Sequence, residues 1–143
     1  MPRSATRKFS ANEREILELL KENEVWKKQL SYTTEEINFL HQLLTADIYQ
    51  KNILNMYEKL QLFSNDLENF RSENIEFTME VHNHRYDIEG MLECEDISCE
   101  IFYHDEHLKL ENRIQEFLER FRNYKLEVFS STGHAFRKTS TEH

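Results

Sequence analysis

Three long segments of this chain carry apolar residues in unbroken steps of three and four, and that pattern limits the fold more than any other feature. The first, from about Asn12 to Asp47, reads Ile16, Leu19, Asn23, Trp26, Leu30, Thr33, Ile37, Leu40, Leu44, Asp47. The second, from about Asn52 to Ile88, reads Ile53, Met56, Leu60, Phe63, Leu67, Phe70, Asn74, Phe77, Val81, His84, Ile88. The third, from about Glu93 to Phe129, reads Asp96, Glu100, Tyr103, His107, Leu110, Ile114, Phe117, Phe121, Tyr124, Val128. Such steps average about 3.5 residues per turn, so each seam lies on one face of a helix. Pro2, Gly90 and Gly133 are the only proline and glycines in 143 residues, and no alternating strand pattern of useful length occurs. The expected fold is all-α, an antiparallel up-down-up bundle of three long helices.

The connections Ala46 to Lys51 and Tyr86 to Leu92 are short, which forces neighbouring helices antiparallel. Thr33-Thr34-Glu35-Glu36 has the form of a capping box. A helix starting there would give the alternative, a four-helix bundle with a break near Thr33. The seam passes that point without changing phase, which favours one helix. On this reading residues 1–11, with Arg3, Arg7 and Lys8, are a disordered basic arm. Residues 12–130 are the bundle, and 131–143 are a disordered polar tail.

The formal charge of −9 disfavours a nucleic-acid partner, whose affinity comes mainly from Lys and Arg meeting phosphates. It disfavours an anionic membrane surface for the same reason. No apolar run approaches membrane-spanning length, and the N-terminus lacks the apolar stretch of a signal peptide. The expected location is the cytoplasm. Cys94 and Cys99 are five apart; on one helix that spacing turns them to different faces, so reduced thiols are expected.

The third seam changes chemistry partway, from apolar positions to His107, Tyr103, Glu100 and Asp96. Counting outward from the second turn sets Glu100 opposite His84. The same count brings Asn23, Asn74 and His107 to one level, a polar layer of the kind that pins register. Around His84 the counting gathers Glu80, His84, Glu100 and His104, with His107 and His82 nearby and Tyr103 as a supporting hydrogen-bond donor. Carboxylates and imidazoles meeting between two helices form a ligand set suited to Zn, Mn or Fe. The competing explanation is simpler: Glu80/His84 and Glu100/His104 are each four apart, the spacing of an ordinary helix ion pair. His84 and His107 also change charge between about pH 5 and 7, which makes a pH-responsive core a third reading.

In shape and ligand type the chain resembles the ferritin-like and hemerythrin-like bundles. Ferritin-like sites carry Glu and His three apart, whereas here the spacing is four. Glu36-x-x-Phe39-Leu40-x-x-Leu43-Leu44 and Glu100-x-x-Tyr103-x-x-x-His107, followed by an aromatic-rich last helix, are similar to patterns in small uncharacterised bacterial helical-bundle proteins. That likeness covers about Trp26 to Phe129. It implies the bundle fold and no established activity.

The sequence offers no glycine-rich phosphate loop, no Gly-x-Ser-x-Gly elbow and no Cys-x-x-Cys pair. The expectation is a non-enzymatic bundle that works through a protein partner or as a homo-oligomer. The apolar residues off the seam, Phe39, Leu43 and Phe102, point the same way. The alternative is a metal-binding bundle, a sensor for instance, with Glu80, His84, Glu100, His104 and His107 as its ligands. A divalent transition metal is the one cofactor this reading requires.

Overall fold

A computed structural model describes residues 11–49 and 55–134. The basic arm before residue 11 and the tail beyond His134 lie outside the described residues. Three helices carry the described chain: α1, Ala11–Thr45; α2, Met56–Gly90; and α3, Ile97–Gly133. A single 3-10 turn, Met91–Glu93, follows α2 directly. The class is all-α, with no strand among the described residues, and α1 runs unbroken through Thr33. The capping-box tetrad does not start a helix because Thr33 is itself a buried seam residue. Continuing the helix through it keeps the apolar residues on either side in phase. The third helix runs to Gly133. Residues 131–133, expected in the tail, are therefore its last turn, where the buried Thr132 hydroxyl donates to the Val128 carbonyl at 2.7 Å.

The described chain forms two compact units, and each helix gives a segment to each. The first unit holds residues 11–30 and 77–114. Ile16, Leu19, Ile88 and Met91 form a buried cluster, with Leu20 and Tyr103 packed on it. Trp26, Leu30, Phe77, Val81, Leu110 and Ile114 are buried too, all at seam positions. The Asn23 side-chain amide donates to the Val81 carbonyl at 3.1 Å, tying α1 to α2. Arg113 on α3 makes two bonds to Glu80 on α2, at 2.7 and 2.9 Å, and its guanidinium lies 5.1 Å from the centre of the Phe77 ring.

The turn between α2 and α3 differs from expectation in two ways. The chain does not reverse at Gly90; it continues through the 3-10 turn and an extended Cys94 before α3 begins at Ile97. Asp96 starts that helix, its carboxylate accepting the Cys99 backbone N–H at 2.9 Å, an N-terminal cap. The two cysteines are joined in a disulfide, with Cα atoms 5.6 Å apart. The expectation of reduced thiols assumed both on one helix. Cys94 lies in the extended segment ahead of α3, so its side chain can reach back to Cys99 in the first turn.

The second unit holds residues 31–49, 55–76 and 115–134. Its core is Ile37, Leu40, Leu44, Leu67, Phe121, Tyr124 and Val128, with Leu43, Leu60, Phe63 and Phe70 packed against it. Phe70 on α2 sits among α3 aromatics, its ring centre 5.3 Å from that of Phe121 and 5.0 Å from that of Tyr124. The Tyr124 hydroxyl donates to the Phe63 carbonyl at 2.6 Å. Burial first, then Asp66 and Glu68, raises its pKa well above that of a free tyrosine. At the turn, Asn55 takes a left-handed backbone (φ 62°), which asparagine tolerates better than most residues. Asn74 donates to the Thr34 hydroxyl at 2.7 Å. That bond joins α2 to α1 within this unit.

Truncating Phe121 to alanine is expected to cost about 3–5 kcal/mol of stability, as buried aromatic truncations do. Leu62, exposed on α2, should tolerate the same change within about 0.5 kcal/mol. Urea unfolding of the two variants beside the parent chain measures the contrast.

Candidate functional site

The polar residues that interrupt the seams meet in the first unit as a buried histidine pair. His84 belongs to the α2 seam and His107 to the α3 seam, so helix periodicity turns both inward, and both are almost fully buried. Their rings face each other with His84 Nε2 2.9 Å from His107 Nδ1. The outer nitrogen of His107, Nε2, lies 2.7 Å from a Glu22 carboxylate oxygen on α1. The outer nitrogen of His84, Nδ1, lies 3.9 Å from Asp87, one turn further along α2. Trp26 of α1 covers the pair, its ring centre 4.6 Å from that of His107 and 6.3 Å from that of His84. All three helices contribute to this group.

The geometry dictates where protons sit. Glu22 can only accept, so His107 donates from Nε2. One proton lies between the facing nitrogens, and in the neutral pair it belongs to His84 Nε2. A further proton has one open place, His84 Nδ1, facing Asp87. Burial is the largest influence on His84 and lowers its pKa; His107 lowers it further, while Asp87 and Glu106 oppose the shift.

The expected metal-ligand residues are only partly brought together. His84 and His107 meet. Glu80 is turned to Arg113. His104 lies beside Glu15 of α1, with Nε2 3.7 Å from its carboxylate. Glu100, expected opposite His84, is half-buried in the first turn of α3, and His107 takes the place opposite His84. The cause is the turn: the observed pairs His84/His107 and Glu80/Arg113 centre on residues 95–97. The counting had centred the hairpin near Gly90, so it paired His84 with a residue two helical turns too early. Among the described residues, no three His, Cys, Asp or Glu side chains converge where a metal ion could sit. Glu22 and Asp87 stand at the outer nitrogens of the two rings, not between them.

Glu22 is the member of this group that sequence reasoning missed. It sits one position before the seam residue Asn23, on the flank of α1. Which flank of α1 meets α3 depends on the handedness of the packing, and heptad periodicity carries no information about that. A small cavity of about 110 Å³ lies between α1 and α2, lined by residues that include Asn23, Lys27, His82 and Arg85. Drug-sized ligands occupy pockets of roughly 300–1,000 Å³, so this one accommodates only a few waters or a small ion.

Compared with protein-family models, with curated proteins and with solved structures, the chain shows no match.

The titration of His84 links this group to stability. Its pKa is lower in the folded chain than in the unfolded one, where a histidine titrates near pH 6.5. As pH falls through about 6.5 the unfolded chain gains this proton first. The stability contributed by the neutral side chain is present above that pH and is lost progressively down to the folded pKa. The melting temperature is expected to fall between pH 7.5 and 5.5. His84→Gln, which keeps a donor for His107 Nδ1, should flatten that dependence; thermal melts across the range give the measurement.

Proposed function

We propose that this chain is a non-enzymatic helical bundle that acts through protein contacts. The observation that carries the reading is the number of large apolar side chains left on its outer faces at helical spacing. Val25, Tyr32 and Phe39 follow one another at intervals of seven along α1, each more than half exposed. Ile97, Ile101 and Leu108 do the same at intervals of four and seven along α3, and they are equally exposed. Scattered exposed apolar residues are ordinary, but repeats on one helix face are what partner helices read. Of the off-seam residues singled out in the sequence, Phe39 and Phe102 are exposed, whereas Leu43 packs on the core of the second unit.

The polar side chains support the same reading from the other side. The ionisable groups with a catalytic or metal-binding aspect are engaged with one another, Glu80 with Arg113 and His107 with both His84 and Glu22. For location, no described helix is long and apolar enough to cross a membrane. The cytoplasmic placement pulls against the Cys94–Cys99 bridge, since structural disulfides persist in oxidising compartments.

Affinity purification of the full chain from cells that naturally make it, with mass spectrometry of what co-purifies, tests the proposal. A protein partner, or a second copy of the chain, retained in fixed ratio is expected. Substituting serine at Tyr32, Phe39, Ile101 and Leu108 together should release it while leaving the helical circular dichroism signal intact. A chain that elutes alone, as a monomer at every concentration, would contradict it.

A further inference from the structure

We propose that the outer groove between α1 and α3 in the first unit docks a cationic amphipathic helix of a partner protein, an inference that rests on the protein-contact reading above. One side of the groove is the α3 face bearing Ile97, Ile101 and Leu108, which are 71%, 57% and 54% exposed. The stripe is about 16 Å long at 1.5 Å per residue, room for three turns of a second helix. His104 interrupts it and leans across to Glu15 of α1 at 3.7 Å. Glu15 and Glu22 reach α3 and so mark the edge of α1 that borders it. Val25, three residues past Glu22 and 52% exposed, continues that edge and supplies the apolar wall on the α1 side.

Charge selects the occupant. Six acidic residues, Glu93 and Glu106 included, stand from Glu93 to Glu106, and no Lys or Arg occurs from Met91 to Leu108. An apolar strip in a field of one sign favours apolar anchors at i, i+4 and i+7 flanked by Lys and Arg. A second copy presenting the same face would bring its own acids against these, so the same charges work against self-pairing there. The Asp96 cap and the Cys94–Cys99 bridge hold the first turn of α3 in place, which presents Ile97 and Ile101 on a fixed element.

The test is a titration of the ¹⁵N-labelled full chain with a helical Leu/Lys peptide patterned for one apolar face, followed by amide NMR, with a Leu/Glu peptide of the same pattern as control. Saturable binding is expected, with shifts confined to residues 97–111 of α3 and 15–25 of α1. The Leu/Glu peptide should not bind. Ile101→Ser/Leu108→Ser keeps every charge and should bind the Leu/Lys peptide about tenfold more weakly, in keeping with the loss of central anchors. Equal affinity in that double variant, shifts spread over other acidic faces, or binding of the Leu/Glu peptide would each overturn the proposal. Self-association of the chain that the double variant abolishes would overturn it too, by assigning the groove to a second copy. If co-purification succeeds while this titration fails, the groove is wrong and the protein-contact reading stands; if nothing co-purifies, that reading itself has failed.

Discussion

The hydrogen bond between His84 and His107 is the interaction on which the first unit turns. Two imidazoles have been placed at seam positions where the pattern calls for apolar side chains, and their burial leaves no alternative to mutual satisfaction. An unpaired buried donor or acceptor costs roughly 1–3 kcal/mol. Sliding α3 along α2 by one heptad would break the bond between the rings and would part Glu80 from Arg113. Apolar seams alone accept such slips readily, because one heptad of leucines resembles the next. Here the polar pair, extended to α1 through Glu22 and covered by Trp26, makes one register much better than its neighbours.

The second unit reaches the same end by other means. Phe70 packs against Phe117, Phe121 and Tyr124, and ring shapes of that size fit together in few ways. Its polar bonds run at the margins, with Lys125 to Glu36 at 2.7 Å and Arg120 to Glu73 at 2.7 Å. Paired charges of this kind are half exposed to water and contribute modestly to stability. Burial of the aromatic seam dominates there.

Much of this fold was legible in the residues themselves. The α1 seam from Ile16 to Leu44 is buried at every position, including Asn23 and Thr33. The α3 seam is buried from His107 to Val128. Periodicity reports which face is inside and does so well. It is silent on two further matters. One is where a hairpin reverses: the seams of α2 and α3 stay in phase whether the turn centres on Gly90 or on Asp96, and only the turn decides whether His84 meets Glu100 or His107. The other is which flank of one helix meets which neighbour, and that hid Glu22. The disulfide was obscured for a related reason, since a helix drawn from Glu93 turns Cys94 away from Cys99. A helix capped by Asp96 leaves Cys94 free to reach it.

These features divide the labour of the molecule. The seam histidines and asparagines bond within the fold, whereas Val25, Tyr32, Phe39, Ile101 and Leu108, off the seams, are turned outward. The closure of the histidine pair holds the three helices of the first unit together. Long-range ¹⁵N–¹H correlation spectra of histidine-labelled chain read the protonation of each ring nitrogen. At neutral pH they should show His107 protonated at Nε2 and not Nδ1, and His84 protonated at Nε2. His107 protonated at Nδ1, or His84 bare at Nε2, would contradict it.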